Sequence, residues 1–222
     1  MPRRDEQIKK DILDDLYWDP RIDASKIAVT VEDGTVTLSG TVPMYADAAA
    51  ARSAAWRIQD VKQVRDNDLA VEHIPEAARP SDTELRARVE NLFAWEPSID
   101  ETQLDIGVSD SVVTLGGIVD AHWKSSYAEQ KAGGVGGVRD IDNQLAVVPS
   151  NRITDEVIAR DVTAALDRDA LVDLRKLSVT VNDGTVTLAG AVPGGAAREA
   201  AMRDASLTAG VVGVRDELTV AT

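Results

Sequence analysis

The chain has 222 residues, 44% of them hydrophobic, only 4% aromatic and none cysteine. That fits one to three small domains with aliphatic cores, and it excludes disulfides, thiolate metal centres and cysteine nucleophiles. With 38 Asp and Glu against 24 Lys and Arg, the formal net charge is −14. An acidic surface of this kind repels phosphate backbones, which excludes nucleic acid as a partner and works against anionic lipid headgroups. No stretch approaches ~18 consecutive apolar residues, so no membrane-spanning helix is expected. The first twelve residues carry positive charge with no apolar run behind it, unlike a secretory signal. The expected location is therefore the cytoplasm, or the periplasm if the chain is a mature form.

Residues 5–18 place Ile8, Ile12 and Leu16 on one face with amphipathic-helix spacing. Asp5 and Glu6 stand in the first turn, where the helix dipole favours acids, and Trp18-Asp19-Pro20 closes the helix. Two short alternating strands follow at 27–32 and 35–42, joined by Asp33-Gly34. Asp-Gly between alternating strands signals a tight hairpin, because its turn needs positive φ at both central residues. Alanine-rich residues 45–58 read as a second helix, and 63–71 as a third strand. A parallel third strand beside the second would leave both helices on one face of the sheet. Its other face would then be wettable, with Thr30, Glu32, Thr35 and Thr37.

This unit occurs three times. Val29–Pro43 returns almost letter for letter as Val179–Pro193, where Asp183-Gly184 is the turn, and more loosely as Ile106–Asp120, where the turn is Asp110-Ser111. Ile8, Leu85 and Ile158 correspond, as do Leu16, Phe93 and Leu166, at spacings of 77 and then 73 residues. Gly40, Gly117 and Gly190 end the second strands. The expected fold is α+β: three tandem αββαβ modules at 1–72, 82–148 and 154–222, each a three-stranded mixed sheet with two helices on one face. Residues 73–81 and 149–153 are linkers. Val138-Arg139-Asp140 aligns by identity with Val64-Arg65-Asp66, which makes the middle copy three residues short and predicts a second helix about one turn shorter. A module near 65 residues is marginally stable alone, so contacts between modules or between chains are expected.

Candidate chemistry is sparse. Asp11, Asp14 and Asp15, with Asp19 beyond, form an acidic helix surface and are the candidates for attracting K⁺ or Ca²⁺, although a solvated face explains them and the spacing lacks a calcium loop's glycine turn. His73 and His122 lie in different modules and are expected at the surface, short of the three or four ligands a zinc site needs. Gly133–Gly137 runs from helix to strand, the reverse of a phosphate loop, and reads as a helix cap and turn. Trp18, Trp56, Trp95 and Trp123 stand at helix ends and are expected to pack, partly buried, on a linker or neighbouring module. Asp33, Gly34, Gly40, Gly117, Asp183, Gly184 and Gly190 are structural hairpin and strand-end residues. No catalytic residues, cofactor or metal site are expected.

The first-helix pattern, the Val-Thr-Val-x-Asp-Gly-Thr-Val-Thr-Leu-x-Gly-x-Val core and the Val-x-x-Val lead into a final Leu-x-Val strand resemble the BON domain over nearly the whole chain. The leads are Val61–Val64, Val135–Val138 and Val211–Val214. The resemblance implies an αββαβ fold, no enzymatic activity, and roles in osmotic stress and envelope maintenance. It also implies association with phospholipid, and one cytoplasmic relative of this kind senses potassium. The expected function is a non-catalytic binding or scaffold protein linked to osmotic or envelope stress, acting through an unidentified protein partner or self-association. Cation sensing and phospholipid binding are the alternatives.

Overall fold

In a computed structural model, residues 5–20, 22–75, 78–150 and 153–220 are described. The first module opens with α1 (Asp5–Trp18), which buries Ile8, Ile12 and Leu16. A single 3₁₀ turn, whose N-terminal Asp23 accepts a hydrogen bond from the Ser25 N–H, leads into β1 (Ile27–Glu32). Then come β2 (Thr35–Val42), α2 (Tyr45–Arg57) and β3 (Gln63–Val71). The second module runs α3 (Asp82–Ala94), β4 (Leu104–Ser109), β5 (Val112–Val119), α4 (His122–Gly133), β6 (Asp140–Asn143) and β7 (Ala146–Val147). The third runs α5 (Asp155–Arg168), β8 (Leu177–Asn182), β9 (Thr185–Val192), α6 (Gly195–Leu207) and β10 (Gly213–Val220).

Each sheet has the hairpin's second strand in the middle. β2 pairs antiparallel with β1 and parallel with β3. β9 does the same with β8 and β10, and β5 with β4 and the interrupted β6–β7 strand. Both helices of a module lie on one sheet face: in the first, Ile8, Ile12 and Leu16 of α1 and Ala51, Ala54 and Ala55 of α2 share a core with Val29, Val36, Leu38 and Val42. The other two modules build their own cores from equivalent residues. Aliphatic side chains alternate inward along the strands because the pleat sends successive side chains to opposite faces, and Thr30 and Glu32 remain exposed on the other side.

The register corrects the expectation that the middle copy is short of a helical turn. Val113 pairs with Ile141, as Val36 pairs with Val64 and Val186 with Val214. Ile141 therefore fills the place of Val64. Val138 is buried where Val61 and Val211 are buried. The shared Val-Arg-Asp letters lie one structural turn apart, and α4 is one residue shorter than α2, 12 against 13. Left-handed residues confirm the offset: Asp60, Gly137 and Gly210, with φ of 67°, 103° and 85°, occupy the same turn in the three modules. Burial of an aliphatic side chain decided this equivalence, and two polar letters did not.

Candidate functional site

The repeated polar residues are spent on the fold. In each module an Asp at the start of the first helix clasps the hairpin turn with both carboxylate oxygens. Asp5 accepts from the N–H groups of Asp33 and Gly34 at 2.9 and 3.1 Å. Asp82 accepts from Asp110 and Ser111 at 2.9 Å each, and Asp155 from Asp183 and Gly184 at 2.9 Å each. The turns need this because Asp33, Gly34, Asp110, Ser111, Asp183 and Gly184 all have positive φ, which points their N–H groups out of the hairpin ladder and leaves them wanting acceptors. The clasp went unseen in the sequence, where Asp5 read only as a helix-dipole residue. Its signal was there: an Asp recurring at 5, 82 and 155 with the repeat's own spacing. Gly40, Gly117 and Gly190 are equally structural. A Cβ on any of them would stand 2.0–2.1 Å from the carbonyl oxygen of Lys26, Gln103 or Lys176 respectively.

The carboxylates of Asp11 and Asp15 on the acidic first helix go to separate partners. Asp11 accepts from the Gln7 side chain at 2.7 Å. Asp15 pairs with Arg57 at 2.8 Å, and Asp19 lies 4.0 Å from the same guanidinium. Asp14 points into solvent. Among the described residues no group of three or more His, Asp or Glu is arranged to hold a metal ion.

The structure instead brings together the three second helices, which the sequence left unplaced: α2, α4 and α6 all pack on one another. At the first junction Tyr45, the first residue of α2, lies along the end of α4 and donates its hydroxyl to Glu129 at 3.1 Å. Burial and the Glu129 charge push the Tyr45 pKa up to about 12. At the second, His122, the first residue of α4, is half-buried against the backbone of Val212, between α6 and β10; burial holds its pKa below the usual value. His122 is thus a junction residue, against the expectation of a surface one. At the third, Gly195 at the start of α6 meets Trp56 near the end of α2, Ser53 donates to Glu199 at 3.3 Å, and the Arg198 guanidinium sits 4.6 Å over the Trp56 ring. Burial raises the Glu199 pKa, against the opposing pull of Ser53 and of Arg57, Arg203 and Arg198.

A cleft of about 490 Å³ opens along this third junction, lined by Arg52, Arg198 and Arg203 with Trp56 and Met202 between them. Its arginines are already engaged, Arg52 with Asp66, Arg198 with Asp216 at 2.7 Å and Arg203 with Asp169 at 3.1 Å. Each of these ion pairs lies within one module, Arg52 in the first and Arg198 and Arg203 in the third, so they line the junction without crossing it.

The tryptophans divide. Trp56 packs on the neighbouring module and Trp123 lies edge-on to Tyr127, 5.9 Å between centroids. Trp18 and Trp95 do not pack as expected: they are 78% and 87% exposed, and Tyr17 beside Trp18 is 75% exposed. The two indoles stand at equivalent ends of α1 and α3, where the third module has Arg168.

A family model described as the BON domain matches residues 4–73, 81–149 and 154–222. The osmotically-inducible protein Y of Escherichia coli K12 is 27% identical over 143 residues, covering 62% of this chain and 71% of that protein. Two solved chains of CdsD, described as a structural protein of the type III secretion system of Chlamydia trachomatis, are each 14% identical. One alignment covers 97% of this chain and 92% of the other at a TM-score of 0.27; the second, to the C-terminal domain, covers 96% of each at 0.28. Scores of that size do not establish a common overall arrangement.

Proposed function

The chain belongs to the BON domain family, and from that premise we propose that it is a non-catalytic binding or scaffold protein of the bacterial response to osmotic or envelope stress. The observation that carries this is where the repeated polar residues go. Every Asp that recurs in all three copies ahead of a hairpin turn or a 3₁₀ turn is bound to backbone N–H groups of its own module. What the repeat preserves is a shape, three times over, in one chain. The similarity to an osmotically inducible protein supports the stress context. The test is a strain lacking this chain, followed through a hyperosmotic shift with and without the restored protein. Slower recovery that the protein corrects supports the role; equal recovery and unchanged protein level after the shift overturn it.

A second reading, contact with a phospholipid surface, is favoured by the exposed Tyr17, Trp18 and Trp95. Large aromatics left in water mark interaction surfaces, and tryptophan in particular sits well at a membrane interface. The net charge of −14 directs this reading to zwitterionic headgroups. Flotation with phosphatidylcholine vesicles at physiological salt, lost in a Trp18→Ala, Trp95→Ala double variant, is the expected result; failure of the native chain to float would end it.

A further inference from the structure

Two of the junctions share one plan, in which the start of one second helix meets the end of another: α2 starts on the end of α4 and α6 on the end of α2. At the remaining one the start of α4 lies against Val212, in the turn between α6 and β10. The contacts run head to tail and close on themselves, which makes a ring of three modules. Two of its junctions are also bridged by linkers. The junction of the first and third modules has no chain connection and is held by contacts alone.

Two positions sit in these junctions. One is the first residue of the helix: Tyr45, His122 and Gly195. The other lies eleven residues on and is seen in contact at two junctions, as Trp56 and Gly133; the same position in α6 is Ser206. Where the start position is large, its partner is small: a Cβ on Gly133 would lie 2.6 Å from the Tyr45 ring. Where the start position is small, its partner is large: a Cβ on Gly195 would lie 2.2 Å from the Trp56 carbonyl oxygen and 2.8 Å from its indole. At each of these places the neighbouring module approaches too closely for a side chain to fit without displacing it. Reversing the ring would set Gly195 against Gly133 and His122 against Trp56, a void at one junction and crowding at another. Interiors tolerate neither well.

We propose that these helix-end residues are a size-matched pairing code that selects which module docks on which, closing the chain in one order, with Gly195 against Trp56 as the catch that holds the unlinked first and third modules together. Glu129 and Glu199, each about one turn inside its glycine, add a hydrogen bond to the matching partner, Tyr45 or Ser53.

The test uses the full chain and small-angle scattering, with far-UV circular dichroism as the check on folding. A compact chain of 222 residues has a radius of gyration of about 17 Å. Gly195→Ala places a methyl group on the Trp56 carbonyl and is expected to free the third module, raising the radius with helix and strand content unchanged. Gly133→Leu is expected to lower the melting temperature by forcing Tyr45 aside. Adding Tyr45→Gly to Gly133→Leu exchanges large for small and is expected to recover most of that loss. A Gly195→Ala chain as compact as the native one overturns the catch, and a double variant no more stable than Gly133→Leu overturns the code. Should Gly195→Ala unfold its module, the Gly133 and Tyr45 variants decide alone.

Discussion

At the scale of single residues, the clasp from first helix to hairpin ties sequence to fold most directly. Asp82 accepts two backbone hydrogen bonds, from Ser111 and Asp110, and these hold its carboxyl below the usual aspartate range. Hydrogen bonds to the charged form favour that form. A carboxyl whose pKa is depressed by folding contributes stability above its unfolded value, near 3.8, and loses it as pH falls through the lower folded value. Asp82→Asn should therefore melt below the native chain at neutral pH, and the gap should narrow as the pH drops below about 4. Thermal melts of the two proteins from pH 7 to pH 3 check this; a gap that stays constant would show that charge is not what the clasp uses. Gly190 carries a different constraint. Its φ of +130° and the Lys176 carbonyl 2.1 Å from any Cβ mean that Gly190→Ala meets backbone strain of about 1–3 kcal/mol in addition to the clash. Chemical denaturation should show the third module's unfolding shifted by at least that much.

At the scale of elements, the core strands are interchangeable in design and can be tested by one truncation. Leu188 of β9 is fully buried among Ile158, Val162, Ala201 and Ala205. Leu188→Ala should cost about 2–5 kcal/mol, because the cavity adds to the lost transfer energy. Denaturant melts measure this, and a cost under about 1 kcal/mol would mean the site collapses around the hole. These elements were legible because each is written in a short local period: Ile8, Ile12 and Leu16 for a helix, Val29, Val31, Val36 and Leu38 for a hairpin, Asp33-Gly34 for its turn. The Val138 equivalence was misread because matching letters were weighed above burial. The clasp was missed because its partners are 28 and 29 residues apart, beyond any local pattern. Trp18 and Trp95 were expected to pack because large aromatics usually do. Nothing near them in sequence says that their helix ends face water.

At the scale of the whole molecule, the sequence supplied three modules and no arrangement, since Tyr45 meets Glu129 and Ser53 meets Glu199 across 84 and 146 residues. Acidity is the global property that was legible, and it bears on the cation alternative. The charge of −14 is distributed over all three modules, so self-repulsion acts on the closed arrangement as a whole. Such repulsion is relieved by any monovalent salt, because screening depends on ionic strength and has a range of about 10 Å at 0.1 M. A bound ion behaves differently: it stabilises by RT ln(1 + [L]/Kd) and depends on which ion is present. Asp15 and Asp19 share Arg57, and Asp11 holds Gln7, so an incoming cation at this helix would compete with partners already in place. Melting temperatures at matched ionic strength in KCl, NaCl and choline chloride should therefore rise together. A rise confined to K⁺ would mean a specific site, and loss of that rise on Asp14→Asn and Asp15→Asn would place it on the first helix. Equal shifts leave the charge as a property of the surface, and they turn the search for a ligand from the acidic helices to the exposed indoles of Trp18 and Trp95.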